Sequence, residues 1–118
     1  MKLPIELKLD DKQVATITSY SYETPWASGS VEFIKEALFD KLVGITTMLF
    51  YDLEVDELGL EDDEEEKLWE TKLTELNLTC DDLSLNRDHK WSITDTNNES
   101  HLIYATRFFR NGYVDWRF

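Results

Sequence analysis

The spacing of apolar residues changes twice along this chain, and that change restricts the folds open to it. Ile5, Leu7 and Leu9 alternate with polar residues, which is typical of a half-buried strand. From Ile34 the apolar residues recur every three or four positions, as one face of a helix requires. After Trp91 the chain returns to short runs of aromatic and β-branched residues. The pattern predicts strands at both ends and helices between them.

The N-terminal region is predicted to form a β-hairpin. Residues 10–12 have turn composition, and 14–22 is a second run with strand composition. Pro25 ends that run, because proline cannot donate a backbone hydrogen bond to a neighbouring strand. The segment 26–33, which contains a glycine between two serines, is either a third short strand or a loop.

The middle of the chain predicts two helices. The first begins near residue 35 and carries an apolar stripe to Leu53, about five turns at 3.6 residues each. Gly44 and the two threonines after it weaken this helix, so the alternative is a helix to residue 43 followed by a strand from Ile45.

The second helix begins near residue 62. Either Asp62 or Asp63 can cap it, since each has a glutamate three residues later. Thr79 and Asp82 repeat this capping-box spacing, which predicts a further short helical turn.

The last third predicts three strands, at 91–96, 101–109 and 113–118. Asn111 and Gly112 favour a two-residue type I′ turn between the last two. In that register Phe109 faces Val114 and Arg107 faces Trp116. The opposite face of the hairpin is aromatic and basic, with Tyr104, Thr106, Phe108, Arg110, Tyr113, Asp115 and Arg117.

That aromatic and basic face has two interpretations. Rings and arginines together can bind single-stranded nucleic acid, although the net charge of the chain opposes it. The favoured interpretation is that helices cover the three rings while Arg110 or Arg117 pairs with acids from 52–82.

These elements predict an α+β fold in a single domain, residues 1–118. One antiparallel sheet of four to five strands, in the order β-β-α-α-β-β-β, carries two helices packed on one face. The expected core residues are Leu7, Ile17, Leu38, Leu42, Leu49, Trp69, Leu73, Trp91, Ile103, Val114 and Trp116.

The charge of the chain is concentrated in one segment. The net charge is −13, and residues 52–82 contain fourteen acids but only two lysines. Such a local field attracts cationic partners and repels nucleic acid and anionic lipid. The predicted partner-binding residues are Asp52, Glu54, Asp56, Glu57, Glu61, Asp62, Asp63, Glu64, Glu65, Glu66 and Glu70.

The run of six acids at 61–66 also has a purely local explanation. Carboxylates in the first turn of a helix gain about 0.3–1 kcal/mol from the helix dipole. Six consecutive residues also point all round a helix, which differs from the two ordered rows of phosphates in a DNA duplex.

No catalytic, metal or cofactor site is predicted. Cys80, His89 and His101 are the candidate catalytic residues, and none lies in a recognisable catalytic motif. The spacing of Asp52, Glu54 and Asp56 is similar to the start of a calcium loop, but position 57 is glutamate where the loop needs glycine. The expected protein is therefore not an enzyme and uses no cofactor.

The single cysteine and the absence of an apolar leader predict a cytoplasmic protein with no role in the membrane. In size, local acidity and lack of catalytic motifs, the chain resembles small acidic bacterial immunity and inhibitor proteins. The resemblance implies a protein that neutralises a basic, nuclease-like toxin by covering it through segment 52–82. The alternatives are a DNA-mimic inhibitor of a DNA-binding or host-defence protein, and a small-molecule binding module.

Overall fold

The computed structural model describes residues 1–118, which form seven strands and three helices. The strands are β1 (Ile5–Leu9), β2 (Lys12–Ile17), β3 (Ser21–Glu23), β4 (Trp26–Phe33), β5 (Trp91–Thr94), β6 (Ser100–Phe109) and β7 (Tyr113–Arg117). The helices, all between β4 and β5, are α1 (Glu36–Glu57), α2 (Asp62–Glu75) and α3 (Cys80–Arg87). None of them is long and apolar enough to cross a membrane.

Six of the strands close into an antiparallel barrel, so the predicted open sheet of four to five strands with two helices is wrong. The order around the barrel is β2, β1, β5, β6, β7 and β4, and β4 pairs back to β2. Ala15 faces Phe33 and Ile17 faces Val31 at this closing seam. The seam exists because 26–33, which the sequence leaves open between strand and loop, is a full strand. The short β3 lies outside the barrel and pairs with the start of β4.

The barrel interior holds most of the hydrophobic core. Trp116, Phe108, Ile5, Leu7, Ile17, Ile93 and Val114 are its fully buried large side chains on strands. Most of the expected core residues are buried, and Leu38 and Trp69 pack against the core while partly exposed. Leu49 is 43% exposed, which contradicts its expected place in the core. The second half of α1 extends past the barrel, and only Met48 and Val55 are buried there.

The helix boundaries agree with the sequence at three points. α1 and α2 begin at Glu36 and Asp62, and α1 continues through Gly44, so the alternative strand from Ile45 is wrong. Thr79 and Asp82 form the predicted capping box at the start of α3, with hydrogen bonds in both directions. The predicted cap of α2 is wrong, since the N-cap is Glu61 and its side chain accepts no hydrogen bond.

A bulge in β6 shifts the register that the sequence predicts. Tyr104 faces Arg117 while Arg107 faces Asp115, so β6 has one residue more than β7 between these pairs. Ala105 takes the extra position with a φ of 53°, a left-handed conformation that alanine seldom adopts. The register beyond the bulge also differs from the prediction, because the turn has three residues with Gly112 at a φ of 84°.

The shift changes which side chains face inward. Phe108 and Val114 form a cross-strand pair and are both buried, whereas the sequence predicts that Phe109 faces Val114. Arg107 faces Asp115 instead of Trp116. Residues on a strand alternate between faces, so a slip of one position moves every side chain to the other side.

Hydrogen bonds at the bulge attach the helices to the barrel. The backbone N–H of Phe108 donates to the Thr46 hydroxyl of α1 at 2.9 Å. The Thr106 hydroxyl donates to Asn86 of α3, and the Trp91 indole donates to the Leu85 carbonyl at 2.8 Å. α1 and α3 are therefore held next to the bulge of β6, and α3 is held to β5 as well.

Gly29 tests the barrel closure. A Cβ at this buried position would lie 1.9 Å from the Ser19 carbonyl oxygen and 3.0 Å from Ile17 Cγ2. We expect Gly29→Ala to lower the free energy of unfolding by about 1–3 kcal/mol, since backbone and a core side chain must move to admit the methyl group. Urea denaturation followed by tryptophan fluorescence measures the change.

Gly44→Ala is the matched control. The added methyl would meet Leu78 Cδ1 at 3.4 Å, an ordinary contact, and alanine favours the helix. This variant should be at least as stable as the wild type. Equal destabilisation by both substitutions would contradict the close approach of β4 to residue 19.

Candidate functional site

The most acidic part of the chain forms a helical hairpin that stands off the barrel. We call residues 52–70, the end of α1 and the first part of α2, the acidic hairpin. α2 packs on α1 and contacts no strand. Val55 is 5% exposed but lies outside the cluster of residues that forms the main core. The hairpin is therefore held by Val55 and by Trp69, which packs against the edge of the main core, and leaves most of its surface in solvent.

The structure brings five of the predicted site residues together around one groove. The groove has a volume of about 280 Å³ and lies between α1 and α2. Its walls are Asp52, Val55, Asp56, Asp62, Glu65, Glu66 and Trp69. The other predicted residues lie on the outer surfaces of the hairpin, where Asp63 and Glu70 line a second open groove with Glu66 and Lys67.

None of the eleven predicted carboxylates forms an ion pair. The basic side chains that do form ion pairs take other acids, which are Glu6, Asp10, Asp11, Asp40, Glu75, Asp82 and Asp115. Lys72, on the same helix, pairs with Glu75 at 3.7 Å and lies 5.2 Å from the centre of the Tyr51 ring. The charge of these eleven carboxylates is consequently not compensated by any ion pair within the chain, whereas seven acids elsewhere are paired.

Asp52 is the hairpin acid whose surroundings act most clearly on its ionisation. Burial raises its pKa above the usual 3.8, and the nearby charge of Asp56 raises it further. The indole N–H of Trp69 partly offsets the rise. The ionised form of Asp52 is thus held in a place that disfavours its charge, which is a common property of functional carboxylates.

A second surface of interest lies on the outside of β4, β7 and β6, and the sequence assigned only part of its residues correctly. Of the predicted aromatic and basic face, Phe108 and Thr106 are buried, whereas Tyr104 and Tyr113 are 58% and 39% exposed. The helices do not cover these two tyrosines. Arg110 pairs with Asp40, outside 52–82, and Arg117 forms no ion pair.

This surface includes residues that the sequence interpretation did not select. The guanidinium of Arg107 lies 4.0 Å from the centre of the Trp26 ring. Phe50 packs against Phe109 with ring centres 6.3 Å apart. A nonlocal contact between α1 and β6 creates this pair, so no short motif could have predicted it.

The three candidate catalytic residues lie in separate surroundings. Cys80 is exposed at the first position of α3. His89 Nδ1 lies 2.6 Å from Asp10 Oδ2 at the β1–β2 turn, and His101 packs edge-on against Phe118. No group of three or more His, Cys, Asp or Glu side chains is arranged to hold a metal ion.

No protein-family model, curated protein or solved structure matches this chain. Its function is therefore argued from its own geometry.

Asp52→Asn tests the electrostatic cost of the groove. A carboxyl whose pKa is raised by folding destabilises the fold when it is ionised, and this effect disappears below the ordinary pKa of 3.8, where both states are protonated. The variant should be more stable than the wild type at pH 7, by less than about 1 kcal/mol because the site is solvent-screened. The gain should vanish as the pH falls below 4. Thermal denaturation from pH 3 to 8 measures it.

Asp82→Asn supplies a control of opposite sign. The backbone N–H of Thr79 lowers the pKa of Asp82, although burial opposes this, and Lys41 also lowers it through a 3.0 Å ion pair. This carboxylate stabilises the fold above pH 3.8, and the effect is lost as the pH falls through its lowered pKa. Its amide variant should lose stability at pH 7. A loss of stability in both variants would contradict the assignment for Asp52.

Proposed function

We propose that this chain is a non-catalytic inhibitor or immunity-type protein that binds a basic, nuclease-like protein through the acidic hairpin. The observation that supports this most strongly is that the hairpin carboxylates have no cationic partner within the chain. Lysine and arginine side chains of a partner would supply the missing counter-charges.

The physical argument concerns both stability and association rate. Like charges gathered on one hairpin repel each other, so their retention lowers stability unless binding compensates it. An uncompensated local field also speeds diffusional encounter with an oppositely charged partner by about 10- to 1,000-fold at low salt. The partner should therefore present a basic surface at least as wide as the hairpin.

The two alternative functions fit the geometry less well. A DNA mimic needs ordered rows of carboxylates, and residues 62–66 are consecutive on α2, so they point all round its axis. A small-molecule binding module needs an enclosed apolar pocket. Large side chains, among them Trp116 and Phe108, fill the barrel, and the larger grooves lie on the surface.

We also propose a cytoplasmic location, because of the state of the single cysteine. Cys80 is free and exposed, a state that a reducing compartment preserves. Cell fractionation should find the native protein in the cytoplasm, and its recovery from another compartment would contradict this location.

Charge reversal tests the proposed function. The partner is first identified by purification from the native host at low salt and mass spectrometry. Glu64, Glu65 and Glu66 are then replaced together by lysine, which should slow association with that partner at least tenfold at low salt. The slope of the rate against ionic strength should also become shallower. Stopped-flow fluorescence measures both.

A second triple variant, with its substitutions outside the hairpin, changes the net charge by the same amount and serves as the control. Glu32, Asp88 and Glu99 are exposed and form no ion pair, and their replacement by lysine alters total charge by the same amount outside the hairpin. This control should slow association much less than the hairpin variant. Equal rates for the two variants would mean that total charge, not the acidic hairpin, governs binding.

A further inference from the structure

The outside of the barrel has two chemically different walls. On β1 and β2 the outward positions are polar, as at Glu6, Lys8 and Thr16, and β5 continues them with Ser92 and Thr94, which are polar but buried. On β6, β7 and the start of β4 they are mostly aromatic or charged, with Ser28 and Ser30 of β4 as exceptions. Phe50 of α1 packs beside them, and Leu53 follows one turn later on the same helix. We call this second wall the aromatic face; it comprises Trp26, Phe50, Leu53, Tyr104, Arg107, Phe109, Tyr113, Asp115 and Arg117.

Strand pairing aligns three of its residues in one row. Trp26 faces Arg117 on one side, and Tyr104 faces Arg117 on the other. Leu53 is 55% exposed and Tyr104 is 58% exposed, so large apolar surfaces meet solvent here. Tryptophan, tyrosine and arginine are the residues most enriched at the energetic centres of protein interfaces.

The two arginines of the aromatic face differ in whether they form an ion pair. Arg107 donates two hydrogen bonds of 2.7 Å to the carboxylate of Asp115 and stacks on Trp26. Its charge is matched, and the pair holds the indole in place. Arg117 lies 5.7 Å from the same ring without a carboxylate partner. Asp115, Arg107 and Trp26 therefore form a bonded and stacked group, and the guanidinium of Arg117 lies beside it without a carboxylate partner.

The aromatic face is continuous with the acidic hairpin. Phe50 contacts Phe109, and Leu53, Glu54 and Glu57 follow Phe50 on the same side of α1 at spacings of three, four and seven residues. A protein that approaches the acids on this side of the helix also reaches the aromatic residues. The sign of the charge changes along this path, from the hairpin carboxylates to Arg117.

We infer that the aromatic face is a second contact surface for the same partner and binds an apolar segment of it that carries a carboxylate. Arg117 would hold that carboxylate between Trp26 and Tyr104. Charge complementarity selects this occupant, because a uniformly basic partner would place like charge against Arg117. Arginine can grip a carboxylate through two parallel hydrogen bonds, and the flanking rings exclude water from them. This inference rests on the proposed function. It adds the chemistry of a second part of the partner, which lies outside the basic surface that contacts the acidic hairpin.

Selection of peptides on defined variants tests the inference. A phage-displayed library of random twelve-residue peptides is depleted on the Arg117→Glu variant and then selected on the wild type. Depletion removes peptides that bind the acidic hairpin, since that surface is the same in both proteins. The enriched peptides should contain Asp or Glu next to aromatic or aliphatic residues. Their synthetic forms should shift backbone amide signals of β4, β6 and β7 in two-dimensional NMR spectra.

Three variants make the expected result specific. Binding of the enriched peptides should fall at least tenfold in Arg117→Glu and about as much in Tyr104→Ser, since hot-spot residues have effects of this size. Arg117→Lys should keep the charge and still weaken binding, because lysine cannot replace the two-pronged contact. Both positions are exposed, so the variants should fold, and their spectra check this.

Other outcomes overturn the inference and separate it from the proposed function. Failure to enrich any peptide over the Arg117→Glu variant, or enrichment of peptides rich in Lys and Arg, would overturn it. Binding of the oligonucleotide dT12 that is lost in Arg117→Glu would assign the face to nucleic acid instead. The triple variant Glu64→Lys, Glu65→Lys and Glu66→Lys should bind the enriched peptides as the wild type does, whatever its association rate with the full partner. Failure at the hairpin and failure at the aromatic face are therefore distinguishable.

Discussion

The bulge at Ala105 is the constraint on which the rest of the structure depends. One extra residue in β6 lets its first half pair with β5 and its second half with β7, so the sheet bends and closes. Three residues after the bulge, the Phe108 amide donates its hydrogen bond to the Thr46 hydroxyl of α1. Because Thr46 lies in the middle of α1, this contact sets where the helix crosses the barrel. The position of the acidic hairpin at its far end follows.

The separation of barrel and hairpin explains how a small domain accommodates so much local charge. The barrel has a continuous core and pairs many of its acids, as with Asp115 and Arg107. The hairpin contributes little to that core and pairs none of its carboxylates between 52 and 70. Repulsion there lowers the stability of an outlying element and leaves the barrel intact. Such a division is expected where a binding surface is selected at some cost to stability.

Local patterns predicted local structure well and failed where distant residues decide the outcome. The strands at both ends, the start of both long helices and the capping box of Thr79 and Asp82 depend on neighbours within a few residues, and each is present. Barrel closure depends on the pairing of β2 with β4, which no periodicity reveals. The bulge placed Ile103 and Phe108, five residues apart, both inside the barrel. Strict alternation assigns them to opposite faces, so the predicted faces of β6 were inverted beyond that point, whereas Val114 and Trp116 of β7 face inward as predicted.

The candidate site was predictable in composition but not in arrangement. Charge density marks 52–82 without any structure, yet only folding shows that Asp52 and Glu65 share a groove with Trp69. The aromatic face was predictable only in part. Strand alternation groups Tyr104, Tyr113, Asp115 and Arg117, but the contacts of Arg107 with Trp26 and Phe50 join separate parts of the chain.

Hydrogen–deuterium exchange of the protein, alone and with its purified partner, shows which of these surfaces the partner covers. We expect slower exchange on binding in the acidic hairpin, residues 52–70, and in β6 and β7, with the β1–β2 hairpin unchanged. Protection confined to β1, β2 and β5, with exchange of the acidic hairpin unaltered, would contradict this expectation.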